Sequence, residues 1–137
     1  MEKVIKRYQM ALQTLTTLKN VLDKLQGDVP SEYRLELRDS AIQRFEYSID
    51  TCWKFLKIYL QDFLHVAVES NAPRAIFRDA LVANIISKNE FDMLIHCIDS
   101  RNETSHAYNE SVAQELMDEL PQLYEFMHAI IVRIKIN

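Results

Sequence analysis

The 137 residues are 48% hydrophobic and 26% charged, which excludes a disordered chain, and their number is too small to divide into two well-buried parts. Residues 1–137 are therefore expected to form one domain. One glycine and three prolines leave few residues for the positive-φ turns that hairpins need, so the composition points to an all-α protein. A net charge of −4 argues against a generic nucleic-acid coat, whose affinity rests on neutralising many phosphates, but it leaves room for a local basic site.

Along the chain, Val4, Tyr8, Ala11, Leu15, Leu18, Leu22 and Leu25 recur every three or four residues and predict an amphipathic helix ended by Gly27 and Pro30. Ile42, Phe45, Ile49, Cys52, Leu56, Tyr59 and Phe63 form a second seam, with Trp53 beside it. Counted from Ser31, this helix is long enough to span the domain. The pattern lapses over Val68 to Ala72, and Pro73 suits the first residue of a short helix reaching about Ala83. Ser87-x-x-Glu90 is a capping box ahead of Phe91, Leu94, Ile95 and Ile98. After Arg101 the run Asn102, Glu103, Thr104, Ser105 is poor in helix formers, which predicts a break or a frayed turn there. Ser111-x-x-Gln114 is a second capping box, opening a helix with the seam Leu116, Leu120, Leu123, Met127, Ile130 and Ile134; Pro121 predicts a kink or short interruption near Leu120. The sum is an antiparallel four-helix-type bundle with an additional short helix.

Cys52 and Cys97 lie in apolar segments without metal-ligand spacing and read as buried thiols, as expected in a reducing cytoplasm. No apolar run reaches the ~20 residues of a membrane span, and the start Met-Glu-Lys-Val lacks a signal-peptide core, so the expected location is cytoplasmic, with no membrane contact.

The densest polar set is Arg101, Asn102, His106 and Tyr108, spaced R-N-x-x-x-H-x-Y at a helix end. An arginine supplies a permanent cation with a planar fork suited to phosphate, and a histidine donates or accepts a proton near neutral pH. These are the requirements of phosphodiester cleavage without a metal: a base for a ribose 2′-hydroxyl, an acid for the leaving oxygen, and a cation for the crowded phosphorane. On chemistry alone, a histidine satisfied within the fold is the commoner meaning of such a spacing. Five positions along a regular helix also set Arg101 and His106 about 140° apart, so their convergence needs either the predicted break or pairing across a dimer axis.

Glu103-x-x-His106 and Glu125-x-x-His128 are each the Glu-x-x-His unit of di-iron bundles. That site needs further inward acids on two other helices; Glu46 is one candidate, but Glu2 and Asp23 lie at the ends of the first helix, so no metal is expected. His65 and His96 stand beside apolar residues and read as structural. Phe45, Tyr47, Trp53, Phe55 and Tyr59 read as core and interface. Arg34, Arg38, Arg44, Lys54 and Lys57 fall in one segment and Arg74 with Arg78 in another, most simply a solvated face among acids. No phosphate loop or nucleophile elbow is present, and no cofactor is expected.

Three stretches together resemble one family. Arg38-Asp39-Ser40-Ala41-Ile42-Gln43-Arg44-Phe45-Glu46-Tyr47 followed by Trp53-Lys54-Phe55-Leu56-Lys57, then Ala72-Pro73-Arg74-Ala75-Ile76-Phe77-Arg78-Asp79-Ala80, then Arg101-Asn102-Glu103-Thr104-Ser105-His106-Ala107-Tyr108 are similar, in order, to segments of the HEPN proteins known as nucleotidyltransferase substrate-binding proteins. The resemblance implies a helical homodimer acting beside a minimal nucleotidyltransferase in a toxin and antitoxin pair. It implies a metal-independent RNase with RNA as substrate, in which Arg101 stabilises the scissile phosphate, His106 is acid or base and Asn102 orients one or the other. It makes Tyr108 a target for AMP transfer by the partner, through which a nucleotide enters the system. Glu103 stands where relatives are often apolar. The alternative the same resemblance leaves open is a non-catalytic substrate-binding or partner subunit of the nucleotidyltransferase.

Overall fold

A computed structural model describes residues 1–136. The apolar seams of the sequence become five helices: α1 (Glu2–Gln26), α2 (Ser31–Ile58), α3 (Pro73–Val82), α4 (Lys88–His106) and α5 (Glu110–Arg133). Among the described residues there is no strand. α1 and α2 pack on one another and both pack on α5; α4 lies against α5, and the short α3 packs on both α4 and α2.

In α1 the side chains of Val4, Ala11, Leu15, Leu18 and Leu22 are buried as their spacing requires, while Tyr8 and Leu25 lie half-buried at the edge. Gly27 leaves the helix in an extended conformation (φ −90°), so α1 ends by straightening toward Pro30 and not through a left-handed cap. α2 has 28 residues and is therefore about 42 Å long. Its last turn widens into a π-helical turn, Tyr59–Phe63, where Leu64 N–H reaches Tyr59 O and Val66 N–H reaches Leu60 O. Tyr8, Phe55, Tyr59 and Phe63 contact in series at centroid separations of 5.4, 5.9 and 4.8 Å, the first two pairs tilted and the last stacked. Phe45, Trp53, Phe55 and Tyr59 are buried as expected, whereas Tyr47 is exposed. Cys52 and Cys97 are buried free thiols, and burial pushes the Cys97 thiol up to about 12.

Two boundaries depart from expectation. The Ser87 capping box is formed, with Ser87 Oγ accepting from Glu90 N–H and Glu90 Oε1 accepting from Ser87 N–H. α4, however, does not break after Arg101; it runs on to His106. Intrinsic propensity is overridden by tertiary bonding. Thr104 Oγ1 is buried, 2.9 Å from Arg101 O and 3.0 Å from Glu46 Oε2 of α2, and Ser105 Oγ donates to Arg101 O at 3.2 Å. α5 is capped by Asn109, whose side-chain oxygen accepts from Val112 N–H at 3.0 Å, so the helix opens at Glu110 and the Ser111 box is not its start. Pro121 lies inside α5 without interrupting it. It is exposed, so the carbonyl its ring deprives of an N–H faces the solvent side.

Candidate functional site

Arg101 points from α4 onto α2. Its guanidinium lies 3.2 Å from Glu46 Oε2 and 3.3 Å from Asp50 Oδ2, and Nη1 also donates to Ser105 Oγ. Glu46 and Asp50 stand four positions apart and so share one helix face. The bond to Asp50, followed by the charges of Asp50 and Glu46, raises the already high pKa of Arg101 and fixes the cation. Arg101 is thus positioned by two carboxylates and one hydroxyl, with its own side chain 30% exposed.

Because α4 is unbroken, His106 does not swing back toward Arg101. The two side chains leave the helix about 140° apart, with His106 exposed on the last turn. Within one chain the structure therefore brings Arg101 and Asn102 to one depression and leaves His106 outside it. Tyr108 lies just beyond the helix, half exposed, and its hydroxyl donates to Asp39 of α2. Burial, then the bond to Asp39, holds the phenol above its ordinary range. Next to it Arg38 is buried and bonds both Glu110 oxygens, at 2.5 and 3.0 Å. A second depression of about 510 Å³ opens beside Tyr108, and its walls include Glu36, Asp39 and Glu46. It presents negative charge.

The depression at Arg101 and Asn102, about 310 Å³, shows what residue-by-residue reading misses. Its other walls are Asp50, Trp53 and Lys54 from α2, and Ala72, Pro73 and Arg74 at the start of α3. The three separated sequence motifs meet there, Trp53-Lys54, Pro73-Arg74 and Arg101-Asn102. Lys54 lies over the Trp53 ring, 5.8 Å from its centroid, and Arg74 pairs with Asp99 at 2.5 Å. The signal for Lys54 and Arg74 is present as motif membership, but only the packing of α3 on α2 and α4 turns it into a common surface.

Among the described residues no three His, Cys, Asp or Glu side chains converge as metal ligands. Glu46, a candidate for such a site, holds Arg101 and Thr104 instead. His128 stacks on Tyr124 at 5.4 Å and His96 bonds Glu119 at 2.5 Å. His65 is exposed, with a left-handed backbone (φ 57°). No helix is long and apolar enough to cross a membrane.

Fold and site together define a class: an all-α bundle presenting a cation-bearing cleft assembled from three helices. The family described as "nucleotidyltransferase substrate binding protein like" matches residues 3–135, and the chain belongs to it. Among solved structures it is similar to a protein of Thermus thermophilus, with 31% identity and a TM-score of 0.77 over 90% of this chain and 98% of that one. It is similar in fold to the tri-AMPylated HEPN toxin of Shewanella oneidensis crystallised with an MNT antitoxin, with 19% identity and a TM-score of 0.58 over 92% of this chain and 96% of that one. The same holds for a mutant MntA-HpeT toxin–antitoxin complex, with 19% identity and a TM-score of 0.57 over 88% and 98%. At that identity the likeness establishes the fold. No curated protein sequence matches the chain significantly.

Proposed function

We propose that this chain is a HEPN-toxin-like, metal-independent ribonuclease of a toxin–antitoxin pair, neutralised by a minimal nucleotidyltransferase. The observation that carries the reading is the meeting of three motifs around Arg101, a cation held in one orientation at the rim of an open depression. His106 takes the proton of a ribose 2′-hydroxyl; the oxygen attacks the adjacent phosphorus, the bond to the 5′-oxygen breaks as that oxygen takes up a proton from water, and a 2′,3′-cyclic phosphate and a 5′-hydroxyl are left. Arg101 stabilises the crowded phosphorane, and Asn102, exposed beside it, orients the phosphate. Since Arg101 and His106 diverge on one continuous helix, the site is completed by His106 of a second copy in a homodimer.

Tyr108 is the point of control. Transfer of AMP from ATP to its hydroxyl by the partner nucleotidyltransferase, with release of pyrophosphate, sets a bulky phosphate two residues from His106 and repels an RNA phosphate. The fold shared with the AMPylated HEPN toxin supports this reading.

Purified protein incubated with RNA should yield 2′,3′-cyclic phosphate ends, and Arg101→Ala or His106→Ala should abolish them while the far-UV circular dichroism stays helical. Cleavage surviving both substitutions refutes the assignment. A second reading, a non-catalytic partner subunit, is favoured by the pairing of Arg101 with Glu46 and Asp50 and by the acidic walls beside Tyr108. Expression alone separates the two: growth arrest relieved by the neighbouring nucleotidyltransferase supports the toxin, and unaffected growth supports the subunit.

A further inference from the structure

We infer that the strip of α2 between Arg101 of α4 and Arg7 of α1 is a binding track for a single-stranded phosphodiester chain, gripping its backbone through Lys54, Lys57 and Arg7. The inference rests on the ribonuclease reading and says where the strand lies on either side of the scissile phosphate.

The depression at Arg101 is continued by another of about 240 Å³ whose walls include Arg7, Lys57, Gln61 and Asn71. Trp53 and Lys54 line both, so the two adjoin along one strip of surface. From Asp50 to Gln61 it follows α2 for about 16 Å, room for a few nucleotides. Its charges fall into two groups. Arg101 and Arg74 are answered by carboxylates. Lys54 lies over an aromatic ring and Lys57 donates to Asn71 at 2.7 Å, so both have neutral partners. Among the described residues, no carboxylate is within ion-pair distance of Arg7, Lys54 or Lys57. Three cations without a carboxylate partner on one strip of a chain of net charge −4 make a local surface suited to an anionic partner.

The form of the strip selects the partner. Lys54 and Lys57, three positions apart on α2, match one line of phosphates, whereas a duplex presents two. Trp53 is 9% exposed, so its ring supports Lys54 and offers no face on which a base could stack. Recognition is therefore of backbone, independent of sequence.

The test is a fluorescence-anisotropy titration of a labelled single-stranded oligouridylate with the full chain carrying His106→Ala, at several salt concentrations. The pair Lys54→Gln and Lys57→Gln should weaken binding tenfold or more and reduce the salt slope by about 1.4, the share of two single-strand phosphate contacts. Lys54→Arg with Lys57→Arg should keep the affinity, which separates charge from packing. Lys19→Gln with Lys24→Gln on α1 should change little. Unaltered affinity in the Lys54 and Lys57 pair, an equal loss in the α1 pair, or tighter binding of a duplex of the same length overturns the track. Wild-type protein that cleaves RNA while the Gln pair binds normally leaves the ribonuclease reading standing and the track refuted. Binding that depends on Lys54 and Lys57 without any cleavage by the wild type does the reverse, and neither binding nor cleavage overturns both.

Discussion

Replacing Asp50 by Asn should make the protein bind phosphate more tightly. Arg101 is shared between Glu46 at 3.2 Å and Asp50 at 3.3 Å, with Nε at 3.5 Å from the other Asp50 oxygen. At such separations the gross attraction is about 5 kcal/mol per pair for an effective dielectric near 20. The side chains of Arg101 and Asp50 are 30% and 33% exposed, so water screens most of it and about 1 kcal/mol per pair is the realistic net value. An incoming phosphate competes with both carboxylates for the same guanidinium. Removing the Asp50 charge lowers that competition by about 1 kcal/mol, or roughly fivefold in affinity, and Glu46→Gln with Asp50→Asn by about 2 kcal/mol, or roughly thirtyfold. Asn and Gln keep the side-chain volume, and Gln retains an acceptor for Thr104. The same lost pairing should lower Tm by about 3–5 °C per kcal/mol. Calorimetric titration with inorganic phosphate, or oligonucleotide anisotropy on the His106→Ala background, measures the gain. Affinity that stays level or falls in Asp50→Asn, with the helical signal intact, would show that Arg101 is a structural ion-pair partner and not the phosphate ligand.

The Tyr108 phenol should titrate above the ordinary ~10 of tyrosine, and Asp39→Asn should bring the phenolate absorbance midpoint down part of the way, because burial, the larger cause, remains; a midpoint indifferent to Asp39 contradicts the bond. Glu90 is held below the ordinary carboxylate range by its bond to Arg133, with one oxygen 2.6 Å from Nη2. Its contribution is therefore present above the unfolded carboxylate value and lost as pH falls through the depressed folded one. Glu90→Gln should cost about 1 kcal/mol at pH 7, and the Tm difference from wild type should close in strong acid; a difference constant from pH 7 downward would refute the linkage.

What the sequence discloses, and what it conceals, divides along a physical line. The seams of α1, α2 and α5 are legible because burial of one helix face imposes its period on the chain regardless of partner, and Ser87 with Glu90 because a capping box is a local reciprocal pair. The end of α4 is not, because intrinsic propensity argues against helix at Asn102, Thr104 and Ser105, while Thr104 and Ser105 are bonded by Glu46, nearly sixty positions away in the chain. The same reach explains the site. Arg101 and Asn102 announce themselves as a motif. The carboxylates that grip Arg101 depend on how α4 packs on α2, and the approach of Lys54 and Arg74 on how α3 packs on both, which no local spacing encodes.

The unbroken course of α4 has a genetic counterpart. A site drawing its arginine from one chain and its histidine from another makes Arg101→Ala and His106→Ala complementary lesions, since a mixed pair reconstitutes one intact site by concentrating both defects in the other. Random pairing of equal amounts should restore about a quarter of the wild-type sites, and two alleles, each harmless alone, should be toxic together. Were both residues to serve the same site from one chain, no mixture of the two variants would regain activity. On the proposed site, the continuity of a single helix end predicts that two null alleles of this protein complement one another.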